Sequence, residues 1–338
     1  MSSILEQEIR SQPHALTATL TIARPPLQTV AEAVRARGVH TVMIAARGTS
    51  DHAADYARYL LGNALGMPVA LAAPSLSTLY RSESLLDARR RLVVGISQSG
   101  ASPDIRAVVA DARRAGALTV AMTNDASSPL AQSAEHVVDL GVGPELAVAA
   151  TKTYTSSLLA VALLVEALGG EPLGIEAVPA FVAEAVDSAF AQIERLDALR
   201  GGHLVVLGRG AQLPTAYETA LKVRELCGVF AEGFSPPDLQ HGPIAGVPPG
   251  APVLAFAPHG AVRESMLAAM HDLRRRGLEV VEVSDDPVAD LSLPQRVPEW
   301  LAPIPAIAVG QVLAWRWATL DDRDVDAPPG LTKITQTT

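Results

Sequence analysis

A serine-rich segment, Ser97-Gln98-Ser99-Gly100-Ala101-Ser102, is a stretch of the chain whose side chains could do chemistry. It follows an apolar run and leads into a helical pattern, and Pro103 suits the first turn of that helix. Backbone N–H groups at the start of a helix attract anions, and hydroxyl groups can donate hydrogen bonds to phosphate oxygens. The segment therefore predicts either a phosphate-binding loop or an ordinary helix N-cap, for which one serine would be enough.

A second polar segment, Arg47-Gly48-Thr49-Ser50, follows an earlier apolar run in the same way. On its own it fits a turn that is followed by a capped helix. Ligands of parallel sheets bind beyond the carboxyl ends of the strands, in the loops that open the next helix. We therefore expect this segment and the serine-rich segment to face the same crevice.

Three charged residues, Glu218, Lys222 and Glu225, share one face of the helix predicted over residues 217–225, because they are spaced four and three residues apart. The spacing alone favours a solvated, salt-bridged helix face over a catalytic set.

His241 lies in the proline-rich residues 236–243, which we interpret as a rigid loop. A histidine fixed on a loop can move protons near neutral pH, although many loop histidines are simply exposed.

Six short apolar runs predict the strands that must position these residues: 41–46, 91–96, 118–122, 204–207, 253–256 and 278–283. Polar turn residues and a helical pattern separate successive runs, which predicts an α/β fold of parallel sheets with helices on both faces. Arg47-Gly48 recurs later as Arg209-Gly210, and Gly100 recurs as Gly260. Landmarks that repeat in the same order indicate duplication of one domain.

The composition restricts the class of protein. The chain has 338 residues, of which 49% are apolar, and this is enough for two domains with sizeable cores. Its net charge of −9 argues against a nucleic-acid partner. Cys227 is the only cysteine, so we expect neither a disulfide nor a cysteine-based metal site. The chain starts without an apolar signal core and no run is long enough to cross a bilayer, so we expect a cytoplasmic protein with no membrane segment.

Four segments together resemble one known family. The serine-rich segment, G-P-E-L-A-V-A-A-T-K at 143–152, A-L-K-V-R-E at 220–225 and L-Q-H-G-P at 239–243 recur in that order in sugar isomerase (SIS) domain proteins. The chain resembles the isomerase half of glucosamine-6-phosphate synthase and, more closely, stand-alone SIS-type glucosamine-6-phosphate deaminases. The resemblance implies two tandem SIS domains, each a doubly wound, flavodoxin-like parallel sheet flanked by helices.

The resemblance also implies which residues bind the substrate, a phosphorylated amino sugar. Residues of both loops and of the 143–152 segment take part. The phosphate is expected at Ser97, Gln98, Ser99 and Ser102, the sugar at Gly48, Thr49 and Ser50, and backbone contacts at Val148 and Ala149.

Catalytic roles follow from the same resemblance. Glu225 matches the glutamate that moves a proton between C1 and C2 of the sugar, and Glu218 and Lys222 match supporting residues. His241 matches the ring-opening histidine, which in the family reaches the site from the neighbouring subunit, so a homodimer with a shared active site is expected. Lys333 matches the lysine that forms a Schiff base with the open-chain ketose. We expect no metal and no cofactor.

Three departures from the synthase pattern affect the predicted reaction. Ala150 replaces a serine near the sugar, and Phe230 stands where the synthase has a histidine. We also expect no N-terminal glutaminase domain, because Ser2 follows Met1 and Cys227 lies within a predicted helix.

Without glutamine as a nitrogen source, the predicted reaction is deamination with aldose–ketose isomerisation of glucosamine 6-phosphate to fructose 6-phosphate. The alternatives are a deglycase or isomerase acting on another phosphosugar such as a fructosamine 6-phosphate, ammonia-dependent glucosamine-6-phosphate synthesis, and a non-catalytic phosphosugar sensor.

The predicted domain organisation follows the repeated pattern. An N-terminal helical segment is expected at 1–30 and the first SIS domain, with the phosphosugar loop, at 31–170. A helical linker at 171–197, a second SIS domain at 198–322 and a C-terminal tail at 323–338 with Lys333 complete the chain.

Overall fold

Two five-stranded parallel sheets organise the residues that the computed structural model describes, 2–80 and 88–333. The strands are β1 (Thr41–Ala45), β2 (Val69–Leu71), β3 (Arg91–Ser97), β4 (Leu118–Thr123), β5 (His136–Asp139), β6 (His203–Leu207), β7 (Phe230–Phe234), β8 (Pro252–Phe256), β9 (Glu279–Ser284) and β10 (Leu291–Ser292). The first sheet has the order β2-β1-β3-β4-β5 and the second the order β10-β9-β8-β6-β7. Read from β7, the second sheet repeats the strand order of the first, as expected for a duplicated domain.

Helices alternate with the strands along the chain. They are α1 (Ile4–Arg10), α2 (Gln12–Ala36), α3 (Thr49–Leu65), α4 (Ser75–Thr78), α5 (Pro103–Arg114), α6 (Pro129–Ser133), α7 (Lys152–Ala167), α8 (Val178–Ala191), α9 (Ile193–Asp197), α10 (Leu213–Cys227), α11 (Pro236–Gln240), α12 (Arg263–Arg275) and α13 (Pro303–Leu320). Short 3₁₀ turns occupy Ile175–Ala177, Gly210–Gln212 and Pro243–Gly246. The predicted α/β class with two parallel sheets is confirmed.

The inner strands β4 and β8 are buried because helices cover both faces of a parallel sheet. All six residues of β4 are buried, and so are all five of β8. In the first sheet the core packs Val93 and Ala121 against Val109 of α5 and Leu130 of α6. In the second sheet, Val253 and Leu207 pack with Met266 and Met270 of α12. Short runs rich in apolar residues are the feature that predicted the six strands.

The described residues form two compact units, each with one sheet. The first-sheet unit comprises residues within 14–145, 152–176 and 332–333, and the second-sheet unit comprises residues within 2–13, 146–151 and 177–331. The domain boundaries expected from the sequence remain a prediction, and of the expected terminal segments Met1 and residues 334–338 lie outside the described residues. None of the described helices is both long enough and apolar enough to span a membrane.

Candidate functional site

The serine-rich loop connects the end of β3 to the start of α5 and is held from the side by neighbouring segments. The Gln98 carbonyl accepts hydrogen bonds from the Asn124 backbone N–H at 3.1 Å and from the Thr123 hydroxyl at 3.2 Å. The Gly100 carbonyl accepts from the Leu130 N–H at 3.0 Å. Since these bonds come from β4 and the segment after it, the sheet itself determines the path of the loop.

Gly100 is required at the tightest point of this loop. Its φ of +60° lies in the left-handed region that glycine tolerates best. A Cβ added here would overlap the Ser128 side chain and lie 3.1 Å from Thr123 Oγ1. The glycine therefore allows the loop to pack directly on the N-cap of α6.

The hydroxyl groups of the loop keep their hydrogens available. Ser97 Oγ accepts from the Gly100 N–H and Ser99 Oγ accepts from the Ala101 N–H, both at 3.2 Å, and a hydroxyl that accepts can still donate. Ser102 occupies the N-cap of α5 in an extended conformation, but its side chain makes no capping hydrogen bond. Ser102 thus has the position of an ordinary N-cap but not its side-chain hydrogen bond. Hydroxyl donors next to the start of a helix are an arrangement suited to an anion.

The segment after β1 reaches the same helix start. Gly48 precedes α3 with a φ of +53°, and Thr49 and Ser50 form the first turn of that helix. The Arg47 Nε lies 2.8 Å from Asp104 Oδ2, and the Asp104 side chain is buried in the first turn of α5. Because β1 pairs with β3 and this ion pair joins the two segments, the structure brings the two predicted loops together.

Glu145 is a residue that the sequence analysis did not single out. Its side chain is fully buried in the first-sheet unit, where it accepts hydrogen bonds from the Gln98 amide and, at 2.7 Å, from the Thr153 hydroxyl. Lys333 Nζ lies 3.7 Å from Glu145 Oε2. The sequence signal was present, since Glu145 is the one carboxylate in residues 143–152, but nothing local indicated its partners.

The charged set on α10 is not a solvated helix face. The side chains of Glu218 and Lys222 are 0% and 1% exposed, and Lys222 Nζ lies 3.4 Å from Glu218 Oε1. Lys222 also donates a hydrogen bond to Glu225, whose side chain is 24% exposed. The interpretation as an exposed salt-bridged face is therefore wrong, because α10 turns this face into the second-sheet unit.

The electrostatics around Lys222 follow from this burial. Burial by itself lowers the pKa of the ammonium group, but the negative charges of Glu218 and Glu225 act more strongly and raise that pKa above its ordinary value. Lys222 thus stays protonated at neutral pH. Of the three residues, Glu225 is the one whose carboxylate reaches solvent.

His241 directly follows a short helix and forms its C-cap. The sequence instead predicts a loop over the whole of residues 236–243. Residues 236–240 form α11, capped by Ser235, whose hydroxyl accepts from the Asp238 N–H at 3.3 Å. The His241 N–H donates to the Pro237 carbonyl at 3.0 Å, and the imidazole is exposed. Proline suits the first turn of a helix, and Pro236 and Pro237 occupy the first turn of α11.

Val148 and Ala149 lie in residues 146–151 of the second-sheet unit. The Val148 N–H donates to the Asp326 carbonyl at 2.9 Å, and Ala149 is buried. Of the two backbone groups of Val148, the N–H is therefore already used within the protein. Within residues 2–80 and 88–333, no cluster of three or more His, Cys, Asp or Glu side chains is arranged to hold a metal ion.

Comparison with known proteins gives concordant matches in sequence and structure. The SIS domain family profile matches residues 30–167 and 200–293. Glutamine–fructose-6-phosphate aminotransferase (isomerizing) of Pyrococcus horikoshii is 35% identical over 86% of this chain and 51% of its own length. The enzyme of that name from Methanothermobacter thermautotrophicus is 33% identical over 97% of this chain and 56% of its own length. The chain thus spans about half the length of these curated relatives.

Solved structures also match nearly the whole chain. A protein of Silicibacter pomeroyi DSS-3, provisionally described as a phosphosugar isomerase, has a TM-score of 0.85 and 33% identity, with 96% of this chain and 99% of the other covered. Glucosamine-6-phosphate deaminase of Thermotoga maritima also has a TM-score of 0.85, covering 99% of this chain and 100% of the other, but is 21% identical. The second match shows a common fold alone.

Proposed function

The chain belongs to the SIS domain family, and from that premise we propose that it deaminates and isomerises an amino-sugar phosphate. The proposed reaction converts glucosamine 6-phosphate and water into fructose 6-phosphate and ammonia. Support for a phosphosugar comes from the curated relatives, whose names contain fructose 6-phosphate and the word isomerizing.

The arrangement around Glu225 is the observation that carries the proposal. Aldose–ketose isomerisation needs one base that can serve two adjacent carbons. Glu225 is a partly exposed carboxylate held by the buried ammonium of Lys222. We assign to it the transfer of a proton from C2 to C1 of the opened sugar, which leaves an imine at C2. His241, exposed at the end of α11, is assigned the proton transfer that opens the ring.

Lys333 is assigned the exchange of nitrogen. Its amine adds to the C2 imine and expels ammonia, which gives a Schiff base between Lys333 and the sugar. Water then hydrolyses that Schiff base to the ketone of fructose 6-phosphate and returns the free amine. One water is consumed and one ammonia released, so the step balances.

The phosphate group is assigned to the serine-rich loop, with Gly48, Thr49 and Ser50 beside the sugar. Support comes from the hydroxyls of Ser97, Ser99 and Ser102, which lie between the end of β3 and the start of α5 with hydrogens available to donate. Gln98 adds an amide in the same loop.

The direct test is an assay of purified protein with a panel of phosphosugars. Incubation with glucosamine 6-phosphate should release ammonia and fructose 6-phosphate in equal amounts, each measured by a coupled enzyme assay. Glu225→Gln should lower the turnover number by about 10²–10⁴-fold, because it removes the base and keeps the shape. Glu264→Gln, on the exposed start of α12, is the matched control.

The same panel separates the alternatives. Release of ammonia from glucosamine 6-phosphate by Glu225→Gln at the wild-type rate would contradict the proposed mechanism. Turnover of a fructosamine 6-phosphate alone would indicate a deglycase, and net formation of glucosamine 6-phosphate from fructose 6-phosphate and ammonia would indicate synthesis. Binding without turnover of any member would indicate a sensor.

A further inference from the structure

Glu145 joins three segments of the first-sheet unit that are far apart along the chain. Its carboxylate accepts from Gln98 of the serine-rich loop and, at 2.7 and 3.1 Å, from the hydroxyl and the N–H of Thr153 at the start of α7. The same oxygen that accepts from Gln98, Oε2, lies 3.7 Å from the Nζ of Lys333 in the C-terminal tail. A phosphate-loop residue and the proposed Schiff-base lysine thus meet at one buried carboxylate.

The local structure stabilises a negative charge at this position. A fully buried carboxylate is costly unless hydrogen bonds and opposite charge compensate for lost water. Two donors come from Thr153, one from Gln98, and the N-terminal end of α7 adds the favourable end of its dipole. These contacts leave the Lys333 ammonium, whose side chain is 26% exposed, facing a fixed charge.

We propose that Glu145 is a positioning residue that holds the Nζ of Lys333 beside the phosphate loop for its reaction with the sugar. The inference rests on the proposed function, which gives Lys333 the Schiff-base step. The separation of 3.7 Å between Lys333 Nζ and Glu145 Oε2 exceeds a hydrogen bond, so the contact orients the ammonium group and does not itself transfer a proton.

The chemistry shows why position matters here. With fructose 6-phosphate, the ammonium first loses its proton to water and the free amine attacks the C2 carbonyl. The C2 oxygen then leaves as water and a C=N bond takes its place, so one amine and one ketone give one imine and one water. A displacement of about 1 Å between reacting groups costs about a hundredfold in rate. Losing the charge that orients Lys333 should therefore slow imine formation and leave phosphate recognition largely intact.

The experiment traps the imine. Wild-type protein, Glu145→Gln and Glu145→Asp are mixed with fructose 6-phosphate and borohydride, and the rate at which the sugar adduct forms on Lys333 is measured by peptide mass spectrometry. Glu145→Gln can still accept from Thr153 but has no charge to face Lys333. We expect its trapping rate and kcat to fall by about tenfold to a hundredfold, with KM for the phosphosugar changed less than about threefold.

The controls separate positioning from general damage. Glu145→Asp keeps the charge but draws it back, so its trapping rate should lie between those of the wild type and Glu145→Gln. Glu166→Gln changes a carboxylate at the other end of α7, where Glu166 accepts from the Leu173 N–H, and should trap like the wild type. If Glu145→Gln does not fold, as judged by circular dichroism, Glu145→Asp decides the question.

The possible failures are distinguishable. Trapping by a folded Glu145→Gln at the wild-type rate, or by Glu145→Asp at that rate when it is the only folded variant, overturns the positioning role and leaves the proposed function standing. A raised KM with unchanged trapping at saturation also overturns it, because Glu145 would then serve only the phosphate loop. Absence of any adduct in the wild type overturns both the role of Lys333 and this inference.

Discussion

The Ser99 hydroxyl is the loop group whose removal gives the simplest test of phosphate binding. Ser99→Ala should weaken the binding of 6-phosphosugars by roughly 1.5–3 kcal/mol, the size of a hydrogen bond to a charged group. The fold should persist, because the Ser99 side chain makes only a local bond to the Ala101 N–H. Isothermal titration with fructose 6-phosphate measures the change.

The control for Ser99 is Ser133→Ala. Ser133 is the last residue of α6, and its hydroxyl donates to the carbonyl of Pro129, the first residue of that helix. Its affinity for the phosphosugar should match the wild type. Equal affinity of Ser99→Ala and Ser133→Ala would contradict the assignment of the phosphate to this loop.

Lys222 allows a prediction about stability at the same scale. In Lys222→Met the buried carboxylate of Glu218 loses a neighbouring countercharge, and breaking a buried pair in this way costs about 3–5 kcal/mol. We expect the free energy of unfolding, measured by urea denaturation, to fall by that amount. The double variant Lys222→Met/Glu218→Gln should recover part of the loss, since the unpaired charge is gone.

The matched control for Lys222 is Arg224→Met on the same helix. Arg224 is exposed and donates to the Ala231 carbonyl, so its loss should cost only about 1 kcal/mol. A loss for Lys222→Met no larger than that of the control would show that the buried charge cluster is not a substantial source of stability.

At the scale of elements, the turn between β3 and α5 depends on Gly100. Gly100→Ala brings two costs, a strained positive φ and overlap with Ser128. Gly174→Ala brings only the first, because Gly174 has a φ of +75° and no atom lies within 4 Å of its added Cβ. We expect Gly100→Ala to lower the thermal midpoint more than Gly174→Ala does, and to weaken phosphosugar binding.

A second variant checks the cause. Gly100→Ala/Ser128→Gly removes the side chain that the new methyl group meets, so it should regain stability relative to Gly100→Ala despite losing the Ser128 cap of α6. If the two single glycine variants have equal thermal midpoints, overlap with Ser128 is not what requires glycine here.

The strands that the sequence analysis did not predict are all edge strands. β2 and β5 border the first sheet, and β7 and β10 border the second. They are short or partly exposed, with burial broken along β2, β5 and β7. An edge strand is covered by fewer neighbours, so it needs no continuous apolar run, and that run is the signal by which the inner strands were found.

At the scale of the whole molecule, we propose a homodimer in which His241 works with Glu225 of the partner subunit. Mixing Glu225→Gln and His241→Ala protomers should then restore about a quarter of wild-type activity, since half of the dimers formed at random are mixed and each contains one intact site of two. Ammonia release after mixing is the measurement. Co-purification through two different affinity tags verifies that mixed dimers have formed.

The opposite result is equally informative. If verified mixed dimers stay inactive, Glu225 and His241 of one chain act together and the shared-site proposal is wrong. Each variant alone should be inactive in the same assay, which excludes residual activity as the source of any recovery.

The sequence by itself determined the α/β class, the six inner strands, the helix that starts at Pro103 and the loop before it. These features are local, because an apolar run, a proline at a helix start and a glycine at a tight turn act within a few residues. It also contained the segments of family resemblance that indicated an SIS domain protein.

Only the tertiary structure decided how deeply the charged side chains lie and which of them meet. Spacing along α10 placed Glu218, Lys222 and Glu225 on one face, but whether that face is solvated depends on what packs against it. Glu145 meets Gln98 and Lys333 only because the chain folds back from distant positions. Burial and long-range contact are properties of the assembled unit, so no local pattern of residues could have shown them.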